Sequence, residues 1–211
     1  DAARADPVHH QAAGGDALYV GEDLVLAGTY YGSFYKNDAS RLAPTISGNL
    51  NDPLGNPMGS AAGSVALTDG LRAILQQPIA LAPDNLAHQF AMSGNFAFNP
   101  QTRATFHLAY THATQHEDFA AMGLGDAPAG RTNLGGVLNT TLAQLGVSTR
   151  PLRDLTLLAD LRYENKQDKT PLDDYGRING VTFTNGNYSL KTLKGKLEGT
   201  WRMPKGVRLK L

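Results

Sequence analysis

The chain has 211 residues, of which 41% are hydrophobic and only 18% charged, with 23 Gly and 11 Pro. Nineteen Lys and Arg cancel nineteen Asp and Glu, which excludes a basic DNA-binding protein, an acidic tail and a charged disordered chain. Cysteine is absent, which excludes disulfides, thiolate metal sites, a thiol nucleophile and a C-x-x-C-H haem attachment, and no apolar run is long enough for a transmembrane helix.

The first twenty or so residues, with His9-His10, read as irregular. Asp1 is not preceded by Met or a signal peptide, as expected of a mature product or a piece of a longer chain. From there the dominant signal is alternation with a period of two. A strand is expected near 23–35, where Leu24, Leu26, Tyr30 and Phe34 take one face. The next, near 86–98, sets Leu86, His88, Phe90, Met92, Phe96 and Phe98 against small or polar neighbours. Near 102–115, Ala104, Phe106, Leu108 and Tyr110 oppose Arg103, Thr105, His107 and Thr111. The pattern near 137–149 is weaker: Ala143, Leu145 and Val147 oppose Gln144 and Ser148. Strands follow near 155–164 and 189–203, and a last one, near 207–211, starts at Val207.

Strands of roughly 10–14 residues exceed the 5–6 usual in soluble proteins and match the 9–11 that cross a bilayer at a tilt. The connections alternate. Asn99–Thr102, Arg150–Arg153 and Pro204–Gly206 are short turns; about 36–84, 117–136 and 165–187 are long loops rich in Gly, Pro, Asn and Asp. That layout predicts an all-β fold, a segment of a large antiparallel transmembrane β-barrel of about six to seven strands with short periplasmic turns and long extracellular loops. The chain is expected to be a single such segment. Seven strands do not close a bacterial barrel, and the chain stops within an alternating stretch, so a segment of something larger is expected. Phe34, Phe96, Phe98, Tyr110, Tyr163 and Trp201 are expected near strand ends as aromatic girdles.

In such a barrel, Arg103, His107, Asp160, Arg162, Glu164, Lys194, Lys196 and Glu198 are the lumen-facing candidates for contact with a partner, because a charge on the lipid face is costly. Asp160 and Glu164 lack the pocket and nucleophile that acid–base catalysis needs, so no catalytic, cofactor-binding or metal residue is assigned. His112 and His116, beside Glu117 and Asp118, read as a solvated rim in preference to a metal site. Thr68-Asp69 is placed to cap a short helix over Gly70–Leu75 in the first long loop.

Several blocks of sequence resemble the MtrB/PioB family of decahaem-associated outer-membrane β-barrel proteins. Ala82-Pro83-Asp84-Asn85, with His88-Gln89, is similar to its A-P-D-N-x-x-H-Q stretch, and Ser33-Phe34 with Asn37-Asp38 to its S-F-x-x-N-D strand end. Asn99–Thr105 resembles its P-x-T-R turn. Thr140-Thr141-Leu142-Ala143 with Arg150-Pro151-Leu152 resembles a T-T-L-A hairpin, and Arg162-Tyr163 with Lys169-Thr170-Pro171 its R-Y…K-T-P segment. The likeness runs from about Tyr30 to Gly206. It implies a barrel of the bacterial outer membrane that is not an enzyme and binds no cofactor covalently. Such a barrel encloses a periplasmic decahaem cytochrome c, which carries the haem c, and so permits electron transfer across the membrane. The lipid bilayer is then a second partner, an extracellular cytochrome a further one, and nucleic acid none. A diffusion porin without a cytochrome shares the strand pattern and is the alternative; a soluble all-β binding domain is a third reading.

Overall fold

The computed structural model describes residues 8–44, 73–123, 128, 130–178, 181–203 and 207–210. The strands are β1 (Val8–Val20), β2 (Leu24–Asn37), β3 (Arg41–Leu42), β4 (Ile79–Ala80), β5 (Asn85–Asn99), β6 (Thr102–Gln115), β7 (Gly136–Leu152), β8 (Leu155–Asp168), β9 (Asp174–Ile178), β10 (Val181–Thr184), β11 (Leu190–Arg202) and β12 (Arg208–Lys210). Eight of them form one antiparallel sheet in the order β1-β2-β5-β6-β7-β8-β11-β12, and β3-β4 and β9-β10 are small ladders within long connections. The sheet is open: among the described residues, β1 and β12 do not pair with each other.

The alternating segments become strands because one face of each can be apolar while backbone groups pair laterally with both neighbours. Seven strands run 13 to 17 residues. Three expectations need correction. The N-terminal stretch with His9-His10 is not irregular; it is β1, paired with β2 along its whole length. Pro151 lies inside β7, not in a turn, because the register shifts between Thr149 and Leu152 and the bulge spares it a ladder N–H. The turn is Arg153-Asp154. β8 continues to Asp168, so the loop expected from 165 starts four residues later.

Tight connections occupy one end of the sheet. Gly21 donates its N–H to the Leu24 carbonyl at 2.8 Å, and the Gln101 N–H donates to Asn99 Oδ1 at 2.9 Å, an Asx turn. Residues 204–206, expected as a turn, lie outside the described residues, as do Thr68 and Asp69; Ala73–Leu75 make one helical turn. The long connections lie at the other end and fold on each other. There Phe119 and Met122, 6% and 7% exposed, are two of the three buried hydrophobic residues among those described. Phe119 meets the Tyr175 ring edge-on at 5.9 Å, and Arg131 is salt-bridged to Asp173.

The sheet is a single layer. Substantial contacts between its strands are all between sheet neighbours, and among the described residues nothing covers the apolar face: Leu193 is 68% exposed and Leu197 76%. A soluble sandwich would bury that face against a second sheet about 10 Å away.

The apolar surface has a tilt. The rung of paired residues that starts at Lys191 on β11 runs through Asn165, Thr141, Tyr110 and Phe90 to Tyr30 on β2. On β11 and β8 this rung is already polar. On β2 the same face stays apolar through Phe34, and its first charge is Lys36, six residues past Tyr30 (36 less 30). Six residues at about 3.3 Å, over five strand spacings of about 4.8 Å, give a slope of about 40°, inside the range for transmembrane barrels. On β11, the ten residues from Trp201 to Lys191 (201 less 191) project at that tilt to about 25 Å, the height of an outer-membrane apolar band. Tyr110 and Tyr163 therefore sit mid-strand and not at strand ends, because the strands overshoot the band on the loop side.

Candidate lumen face and loop necks

Residues directly opposite one another across antiparallel strands share a face, so the register sorts every side chain. The polar face carries three consecutive rungs: His107–Gln144–Arg162–Lys194, then Thr105–Gly146–Asp160–Lys196, then Arg103–Ser148–Leu158–Glu198. Glu164 follows on the outer side, opposite Leu142 and Thr192. All eight candidates, Arg103, His107, Asp160, Arg162, Glu164, Lys194, Lys196 and Glu198, thus share one face.

Their charges are partly paired. Gln144 donates from Nε2 to Asp160 Oδ2 at 3.1 Å. Arg162 Nη2 donates to Glu164 Oε2 at 3.1 Å, two residues along the same strand face. Lys196 Nζ lies 2.6 Å from Glu198 Oε1, and Lys210 approaches the same oxygen at 3.7 Å. Two cation pairs stand directly opposed, Arg162 with Lys194 and Arg202 with Arg208; like charges so placed repel. Between Arg103, Asp160, Lys196 and Glu198 lies a trough of about 290 Å³. Gly146 keeps it open, since a Cβ there would meet Thr105 Oγ1 at 2.7 Å. The candidate set lacked Lys210 and Gln144. Lys210 sits in the short β12, where too few residues remain for alternation to show. Gln144 gave only the signal of being polar on the right face.

His112 and His116 do not come together. β6 stops at Gln115, and His112 turns to the apolar face, where its Nδ1 lies 2.7 Å from Asn139 Oδ1. No group of three or more His, Asp or Glu side chains among the described residues is placed to hold a metal ion. His10 Nε2 meets Ser33 Oγ at 3.1 Å, and His9 Nε2 meets Asp38 Oδ2 at 3.0 Å. Asp38, just beyond β2, has its carboxyl held below the ordinary 3.8 by a hydrogen bond from Lys36, with His9 adding to the effect.

The sequence blocks singled out above meet at the necks of the long loops. The Asn37 N–H donates to Asp84 Oδ1 at 2.7 Å, and Asn37 Nδ2 to the Ala82 carbonyl at 3.1 Å. The S-F-x-x-N-D and A-P-D-N stretches therefore clamp the two ends of the first loop, and Asn37 is only 7% exposed. At the third loop, the Lys169 N–H donates to the Val137 carbonyl at 2.8 Å, and Thr170 Oγ1 accepts from the Val137 N–H at 3.3 Å. Asn185 Nδ2 donates to the Pro171 carbonyl at 2.9 Å. These are devices for leaving a long strand and returning to its neighbour.

Residues 9–211 match the family described as "Putative outer membrane beta-barrel porin, MtrB/PioB". The chain belongs to the MtrB/PioB family. A porin-like barrel, not an enzyme class, is the setting in which the two faces are to be read. No curated protein sequence matches the chain. The family accounts for a one-layer sheet with a bare apolar side, which water would not tolerate and lipid requires.

Proposed function

We propose that this MtrB/PioB chain forms part of the wall of a bacterial outer-membrane barrel that sheathes a periplasmic multihaem cytochrome c and so lets electrons cross the membrane. The observation that carries the reading is the excess of cations on this face: Lys194 stands opposite an Arg162 that already holds Glu164, and Arg202 stands opposite Arg208. An acidic surface inside the barrel would neutralise them. The apolar face meets the hydrocarbon over its band of about 25 Å, and the polar face keeps the charged partner out of lipid. The barrel makes and breaks no bonds; its partner's haems carry the electrons.

Detergent purification of the full-length protein tests this. A c-type haem absorbance band should follow the barrel through successive columns, and its retention should weaken with salt because the contacts are charged. A haem-free barrel that conducts ions in planar bilayers would replace the sheath with the diffusion-porin reading.

A further inference from the structure

The apolar face holds a groove of about 780 Å³. Its walls are two adjacent rungs of that face: Tyr30, Phe90 and Tyr110 on one side, Met92 and Leu108 on the other. Gly28 leaves it open at β2, where a Cβ would meet nothing within 4 Å. The next rung towards the loops is different in kind. There His88 and His112 are direct cross-strand partners, His112 at the loop-side border on β6, where Thr114 follows, and His88 one rung inside it, where Leu86 and Phe34 follow. Tyr30 Oη lies 2.8 Å from His88 Nδ1, and His112 Nδ1 lies 2.7 Å from Asn139 Oδ1. Neither Nε2 has a hydrogen-bond partner among the described residues.

We propose that groove and histidine pair together form a site for a lipid with a phosphomonoester headgroup, held in the leaflet on the loop side. One acyl chain lies between the Phe90–Tyr110 and Met92–Leu108 rows. The headgroup reaches the two imidazoles. With the Tyr30 hydroxyl donating to His88 Nδ1, His88 carries its proton on Nε2 and donates to a phosphoryl oxygen. With His112 donating from Nδ1 to Asn139, its Nε2 is an acceptor and takes the P–O–H of the monoester. A phosphodiester lacks that hydroxyl and a diacylglycerol lacks the phosphate, so the site selects by headgroup as well as by chain. This inference rests on the lipid-facing side of the barrel and is independent of the cytochrome.

The test is native mass spectrometry of the full-length protein in detergent with phosphatidic acid, phosphatidylglycerol and diacylglycerol of identical chains. Wild type should retain phosphatidic acid about tenfold better than either rival, the scale of one or two charge-assisted hydrogen bonds. Replacing both imidazoles, H88F with H112F, should shrink that preference to within about twofold, and H112F alone should give about threefold. Gly28→Leu fills the groove without a backbone clash and should lower retention of all three lipids about tenfold. Inorganic phosphate should not displace the lipid. Equal retention of the three lipids by wild type overturns the proposal, as does a preference that survives H112F intact. Unchanged retention by the Gly28→Leu protein, or displacement by inorganic phosphate, does so too.

Discussion

Leu197→Lys is the sharpest test of which face meets lipid. Leu197 is 76% exposed, on the face that also carries Trp201 and Leu193. It lies four residues from Trp201 and six from Lys191 on β11. At about 3.3 Å per residue and a tilt of about 40°, that puts it about 10 Å and 15 Å from the two borders, close to midplane. A Lys there costs about 2–4 kcal/mol, or about 30-fold to several hundred-fold in the folded-to-unfolded ratio. Thr192→Lys is the matched control: one strand, the opposite face, and directly across from Glu164. Its cost should stay within about 0.5 kcal/mol. Urea unfolding of the full-length protein in lipid vesicles measures both. In water an exposed Leu and an exposed Thr would accept Lys equally well. Two changes within about 0.5 kcal/mol of wild type would therefore refute the lipid-facing assignment, and a Thr192→Lys cost as large as that of Leu197→Lys would refute the sorting of faces.

Two further substitutions probe packing. At Gly94 a Cβ would meet the Val25 carbonyl oxygen at 2.6 Å and Phe106 Cε1 at 2.8 Å, so Gly94→Ala should cost about 1–3 kcal/mol. Gly28→Ala, in open space, should be neutral or stabilise by about 0.5 kcal/mol; the same unfolding assay reads both, and equal effects would contradict the register between β2, β5 and β6. Phe119→Ala should loosen the loop end by about 3–5 kcal/mol locally. Limited proteolysis should then cleave within residues 116–135 faster while the strands stay as protected as before; a loss of strand protection would show that the loops support the sheet.

Much of the sheet was legible because one physical fact, apolar out and polar in, repeats every second residue. Leu24 to Phe34 and Leu193 to Trp201 show it plainly. β1 was missed because its faces do not differ: His9, Gln11, Ala13, Gly15, Ala17 and Tyr19 share one, and His10, Ala12, Gly14, Asp16, Leu18 and Val20 the other. Its strand character comes from pairing with β2, which no local pattern reveals. β7 looked ambiguous for a related reason, since Leu138 and Leu142 fall on the polar face. The common face of the eight charged candidates followed from parity. Their partners did not, because cross-strand pairing depends on register, and register depends on bulges such as the one before Leu152. The His88–His112 pair was hidden in the same way. The two residues lie 24 positions apart (112 less 88), and only the Asn99–Thr102 turn with its bulge sets them opposite each other.

Charge on the polar face is unevenly distributed, and the proposed sheath and a simple pore would use that distribution differently. Across β1, β2, β5, β6 and β7 as far as Thr149, that face carries only two residues of fixed charge, Asp16 and Arg103, among neutral residues that include Tyr31, Tyr35, Leu138 and Leu142 as well as Ala, Ser, Thr and Gln. Across β8, β11 and β12 it carries Asp160, Arg162, Glu164, Lys166, Asp168, Lys194, Lys196, Glu198, Arg202, Arg208 and Lys210. A diffusion pore gains selectivity from a charged constriction, which needs charge around the lumen and gains nothing from a broad neutral wall. A partner lodged inside gains from both. Neutral side chains let its surface come close over a wide area without desolvating ions, and one charged strip fixes its orientation by complementarity. If the barrel sheathes a cytochrome as proposed, charge reversal at Lys194 and Arg208 should weaken its retention and flatten its salt dependence while leaving the neutral wall's contribution in place. In a simple pore the same reversals would change only which ions pass.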